Sequence, residues 1–170
     1  MGISPSSKAA AGKPNYDVIA LKDSISSSTM TELIAPAVIR CDASALANAT
    51  LLERVVLSPD IHYLGAKFCN NAKALREFQP MDMPELENLG STAFGGCSSL
   101  KGDFSVAKIL ELSSNVFRAS AITSLSAPLA ETVTAGAFGS CSSLTNLYLP
   151  RLRNITGFSI SDNTGVRTLT

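Results

Sequence analysis

One eight-residue unit occurs twice in this chain: Ala93-Phe94-Gly95-Gly96-Cys97-Ser98-Ser99-Leu100 and Ala137-Phe138-Gly139-Ser140-Cys141-Ser142-Ser143-Leu144 differ only at Gly96 and Ser140. Weaker copies of its opening pair stand at Ala45-Leu46, Lys67-Phe68 and Val116-Phe117, where Lys67 departs from the small or apolar first residue. From Leu46 through Phe68, Phe94, Phe117 and Phe138 to Phe158 the intervals are 22, 26, 23, 21 and 20 residues. A period of this size belongs to solenoids, in which one supersecondary unit stacks on the next. No unit buries its apolar face alone, so stability is roughly a sum of nearest-neighbour terms. Function then belongs to a surface and not to an enclosed pocket.

A second register supports the first. Ala35, Leu57, Met83, Val106 and Ala127 each lie 11 residues before Leu46, Phe68, Phe94, Phe117 and Phe138. Alternation in Leu33-Ile34-Ala35, Val55-Val56-Leu57 and Leu147-Tyr148-Leu149 predicts one short strand per coil. Pro36, Pro59, Pro84, Pro128 and Pro150 end these strands by removing a backbone donor. Leu64-Gly65, Leu89-Gly90 and Val133-Thr134 predict a second strand or bend, and the stretch around each aromatic reads as one tight turn of helix. Strands of neighbouring coils stack at roughly 4.8 Å, so equivalent residues must touch. Leu46, Phe68, Phe94, Phe117, Phe138 and Phe158 are therefore expected to form one buried spine, and Leu52, Leu75, Leu100, Ile122, Leu144 and Val166 another.

The exposed middle residue of each strand is the expected binding face: Ile34, Val56, Asp82, Ser105, Ser126, Tyr148 and Arg167. Ile34, Val56 and Tyr148 are apolar or aromatic where a solvated face calls for polar residues, which marks an interaction patch. The alternative is that they pack against the N-terminal segment or follow strand propensity.

Chemistry is sparse. His62 is the sole histidine, which leaves no His-rich metal site and no second imidazole, and Gly95-Gly96 has no following Lys of a phosphate loop. No catalytic residue, cofactor or metal is expected. Charged residues make up 16% of the chain with a net charge of zero, so no nucleic-acid or anionic-membrane partner is indicated. The longest apolar runs fall short of a membrane span. Cys97 and Cys141 share a repeat position two coils apart, roughly 10 Å by strand spacing, beyond the ~7 Å reach of a disulfide. Cys41 and Cys69 lie outside that ladder, and their pairing is open.

Residues 1–29 fall outside the repeat and form a flexible leader with a cap or anchoring segment; residues 30–170 form the solenoid. Met1 to Asn15 lacks the basic-then-apolar design of a secretory signal. Val166-Arg167-Thr168-Leu169-Thr170 begins a further strand with nothing to cover it, and a bare strand edge is a template for another chain. A homo-oligomer or larger assembly is expected.

The pattern Leu-x-x-Leu-x-Leu-Pro at Leu144 to Pro150, with Leu-Gly-x-x-Ala-Phe-x-x-Cys-Ser-Ser-Leu at Leu89 to Leu100, resembles the BspA-type leucine-rich repeats over about Met30 to Leu169. The resemblance implies a β-rich leucine-rich-repeat solenoid of about six right-handed coils, with a parallel sheet on one face and short helical turns. Similar proteins stand on bacterial and protist surfaces or in bacteriophage particles. It thus implies a non-enzymatic interaction or adhesion module that binds a protein or surface glycan and is displayed on a virion or cell surface. An architectural virion subunit, as capsid decoration or tail component, is the alternative.

Overall fold

A computed structural model describes residues 29–157, together with the backbone of three outlying strands: β1 (Ser4–Pro5), β2 (Ile19–Leu21) and β15 (Thr168–Leu169). Each coil contributes a three-residue strand followed by a two-residue strand. The first kind comprises β3 (Glu32–Ile34), β5 (Arg54–Val56), β7 (Glu77–Gln79), β9 (Asp103–Ser105), β11 (Ser124–Ser126) and β13 (Asn146–Tyr148), which open coils 1 to 6. The second comprises β4 (Arg40–Cys41), β6 (Tyr63–Leu64), β8 (Asn88–Leu89), β10 (Glu111–Leu112), β12 (Thr132–Val133) and β14 (Asn154–Ile155). Both kinds stack in parallel on their counterparts, giving a β-solenoid of about six coils. At its ends β2 adds in parallel to β4, and β15 adds in parallel to β13.

Alternation decides which residues face inward, with one correction to the expected phase. Each first strand begins one residue earlier than the apolar runs indicate, and in coil 3 four residues earlier than Met81, so the buried middle residues are Leu33, Val55, Phe78, Phe104, Leu125 and Leu147. Ile34, Val56 and Tyr148 are the last residues of their strands, not the middle ones.

The turns around the aromatics are not helical, and no helix occurs among the described residues. A helix returns each amide to the carbonyl four residues earlier. Here alternate amides leave the coil: Ser44, Leu46 and Asn48 donate to the carbonyls of Ala66, Phe68 and Asn70 of the next coil at 2.9, 2.8 and 2.7 Å. Between them Ala45 and Ala47 donate back three residues, to Asp42 and Ser44. Two residues with positive φ, four apart, allow this in the turns of coils 1 to 5: Ser44 and Asn48, Lys67 and Asn71, Thr92 and Gly96, Asn115 and Ala119, Gly136 and Ser140. Left-handed backbone breaks a right-handed helix and redirects the amides toward the neighbouring coil.

These left-handed pairs fix the register and move one spine residue. Leu46, Phe94, Phe117 and Phe138 each stand two places after the first left-handed residue of their turn, and in coil 2 that place belongs to Cys69. Phe68 occupies the position of Ala45, Ala93, Val116 and Ala137. The cause lies upstream: seven residues separate Leu57 from Leu64, but six separate Ala35 from Cys41, Met83 from Leu89 and Val106 from Leu112. Phe68 is nonetheless fully buried.

Both stacks break at one level, between coils 3 and 4. β7 ends the sheet of β3 and β5, while β9 begins the sheet of β11 and β13; β8 and β10 part likewise. Ala35 and Leu57 donate their amides to Val56 and Gln79 of the following coil, but the residue after Gln79 is Pro80, which has no amide hydrogen. The chain steps outward, and Met83 resumes the ladder by donating to Ser105 at 2.8 Å. Aromatic packing spans the break. Phe94 lies 5.1 Å from Phe78 and 5.5 Å from both Phe104 and Phe117, measured between ring centroids.

Candidate binding face

The first strands present two outward rows. One runs Glu32, Arg54, Glu77, then Asp103, Ser124, Asn146; the other runs Ile34, Val56, Gln79, then Ser105, Ser126, Tyr148. Coil spacing is short enough for side chains of adjacent coils to pair, and the first row does so. Arg54 bridges Glu32 at 2.5 Å and Glu77 at 3.2 Å, while Arg76 beside it meets Glu53 at 2.6 Å. Asp103 accepts hydrogen bonds from the hydroxyls of Thr123 and Ser124, both at 2.7 Å. Those two hydroxyls, Ser124 foremost, hold its carboxyl below the usual carboxylate value. Fixed charges of this kind are modest in stability terms, commonly below about 1 kcal/mol per exposed pair. Their value to a binding face is that the side chains are already positioned before a partner arrives.

The second row carries the apolar exposure. Ile34 is 56% exposed and Tyr148 49%, at opposite ends, with half-buried Val56, Ser105 and Ser126 and exposed Gln79 between them. Two coil-3 residues meet this row, one on each side of the Pro80 interruption: Gln79 stands opposite Val56, and Asp82 pairs with Ser105 as an isolated parallel bridge. Arg167 lies outside the described residues. Gln79 was hidden in the sequence because the Met81-Asp82-Met83 alternation imitates a strand more strongly than Glu77-Phe78-Gln79 does.

Behind the face, Leu46, Phe68, Phe94, Phe117 and Phe138 are fully buried, and Phe158 lies outside the described residues. Phe94, Phe117 and Phe138 stack nearly parallel, with centroid separations of 5.5 and 6.1 Å. Phe78 and Phe104, strand residues that the aromatic spacing did not select, complete the aromatic core.

No cysteine stands on the face. All four cysteines are free and buried. Burial pushes the Cys41 and Cys97 thiols up to about 12 and raises those of Cys69 and Cys141. Cys141 donates to the Phe117 carbonyl at 2.9 Å and Cys97 to the Cys69 carbonyl at 3.1 Å, so these thiols serve the core. Native protein is accordingly expected to leave a disulfide reagent such as DTNB unreacted at pH 8 and to release four thiols once unfolded. Because the folded thiol values lie above the ordinary 9.0, their contribution to stability is complete below pH 9 and is lost as pH rises towards about 12. Among the described residues no group of three or more His, Cys, Asp and Glu could hold a metal ion, and no helix is long and apolar enough to cross a membrane.

Comparison with known families places the architecture. The profile of the BspA-type leucine-rich repeat region matches residues 20–101 and 77–170, in 6 copies. Searches of curated proteins and of solved structures found no match. The two matched stretches together take in every described coil, and the chain belongs to the BspA-type leucine-rich repeat family.

Proposed function

We propose that this chain is a non-enzymatic interaction module that docks a protein segment along its first-strand face. Repeats of this family suggest protein binding. The observation that carries the reading is the row from Ile34 to Tyr148, which leaves two large apolar side chains in solvent beside charges already fixed by inter-coil pairs. A buried anchor surrounded by a polar rim is the usual anatomy of a protein interface. An extended segment running across the coils would meet one side chain about every 4.8 Å.

Display on a cell surface or virion, for adhesion, is part of this proposal and rests on the family resemblance. The architectural alternative places assembly contacts at the terminal strands β1 and β15, the first paired antiparallel with β2 and the second parallel with β13, at opposite ends of the array. Light scattering separates the two, since an architectural subunit assembles on its own and a docking module stays monomeric.

The face is tested with a displayed library of random peptides. Peptides selected on the native protein should bind the double variant Val56→Ala, Tyr148→Ala at least about tenfold more weakly, a loss of about 1.4 kcal/mol, while its melting temperature stays unchanged. Selected peptides that bind the variant as well as the native chain would place the docking surface elsewhere.

A further inference from the structure

The net charge of zero conceals a segregation. Between Asp60 and Glu77, between Glu87 and Asp103, and between Glu111 and Glu131 the chain carries no carboxylate side chain, and these stretches form the turns of coils 2, 3 and 4. They hold Lys67, Lys73, Arg76, Lys101 and Arg118. Among the described residues Arg118 makes no ion pair, whereas Arg40, Arg54, Arg76 and Lys108 each meet a carboxylate.

Arg118 rims a notch. The register aligns Asn70, Gly95 and Arg118 on successive coils, and beside them Asn71, Gly96 and Ala119. Two adjacent glycines in coil 3 thus remove the side chains between an amide wall and a guanidinium, two coils or roughly 10 Å apart. The result is an open cleft of about 290 Å³ lined by Asn70, Asn71, Thr92, Asn115, Arg118 and Ser140 around the glycines. That is near the lower end of ligand clefts, about 300–1,000 Å³.

The floor sets the chemistry. The point where a Cβ of Gly95 would stand lies 2.6 Å from the Thr92 methyl carbon, 3.2 Å from the Asn115 carbonyl oxygen, which also accepts the Arg118 backbone amide, and 3.4 Å from Asn70 Oδ1. The same point on Gly96 lies 2.5 Å from Asn71 Oδ1, whose amide nitrogen is turned away to donate to Asn48 Oδ1 at 3.2 Å. Three oxygens therefore border the notch as acceptors, with one unpaired guanidinium at its rim. A bare anion meets repulsion from the oxygens, and a neutral sugar finds no aromatic ring to stack on and leaves Arg118 unused. A ligand that brings hydroxyl donors to the floor and one carboxylate to the rim satisfies both, because a guanidinium binds a carboxylate through two parallel hydrogen bonds.

We propose that this turn-face notch binds an acidic sugar residue, its hydroxyls donating to Asn70, Asn71 and the Asn115 carbonyl and its carboxylate held by Arg118. The site lies apart from the strand face and does not depend on the docking role proposed for it.

Saturation-transfer NMR with 3′-sialyllactose as probe tests it, with lactose as the neutral sugar and acetate as the bare carboxylate. Transfer to the sialic acid protons is expected, with none to lactose. Arg118→Glu should weaken the signal at least tenfold, and Arg118→Gln, which keeps the length and removes the charge, should weaken it also. Excess acetate and the double variant Val56→Ala, Tyr148→Ala should leave it unchanged. Absence of transfer, equal transfer to lactose, indifference to both Arg118 variants, or displacement by acetate would each overturn the assignment.

Discussion

Replacing Phe117 with alanine is expected to lower the unfolding free energy by about 3–5 kcal/mol, as for other buried aromatic truncations. Its ring stacks on Phe94 at 5.5 Å, meets Phe104 at 5.4 Å and faces Phe138 at 6.1 Å. Position makes the loss larger than volume alone implies. Phe117 sits in coil 4, beside the level where both strand stacks part, so coils 3 and 4 are coupled by this aromatic packing together with the amides of Met83, Thr92, Phe94 and Gly96, which still donate to coil 4. In a quasi-one-dimensional array, weakening one interface uncouples the halves on either side of it. Urea unfolding followed by circular dichroism should show a lower midpoint and a broadened or split transition. A loss under about 1 kcal/mol would mean that the ring is not a packed member of the spine.

Gly90→Ala has the second large expected effect, for a reason unrelated to cavities. A Cβ on Gly90 would stand 2.3 Å from the Ala66 backbone nitrogen and 2.5 Å from the Gly65 carbonyl carbon; on Gly65 it would stand 2.5 Å from the Ala43 nitrogen. These contacts are with peptide groups of the preceding coil, which cannot rotate away as a side chain can. Relief requires that whole coils separate, and overpacking of this kind costs about 3 kcal/mol or more. For a chain of this length that corresponds to a fall in melting temperature of roughly 6–12 °C. An unchanged melting temperature would show that the coils approach less closely at this corner.

Much of this architecture was legible because the repeat states it several times. The column Ala35, Leu57, Met83, Val106 and Ala127 is one structural position: each of these residues donates its amide to the next coil. That offset held in coil 3 because the insertion lies before Met83 and leaves the span to Phe94 unchanged. It misled in coil 2, where one extra residue between Leu57 and Leu64 moves Phe68 off the column and gives its place to Cys69. Spacing between large residues cannot reveal which of two adjacent buried positions each occupies. The turns were misread as helical because small residues, Asn and Ser favour several compact backbones, and only inter-coil hydrogen bonding selects the left-handed pairs. The notch at Gly95 and Gly96 was hidden for a related reason: it exists only between coils, when Asn70 and Arg118 are brought to either side of residues that lie in another repeat.

The functional reading depends throughout on which side chains share the exposed row. The most direct test is cross-linking by paired cysteines on that row, since neighbouring coils stand roughly 4.8 Å apart and disulfides form at Cα separations of about 4.4–6.8 Å. The native thiols are buried and do not compete. Val56→Cys with Gln79→Cys is predicted to oxidise readily to an intramolecular disulfide, and Val56→Cys with Asp82→Cys to remain reduced. The reverse outcome would contradict the register on which the binding face is built.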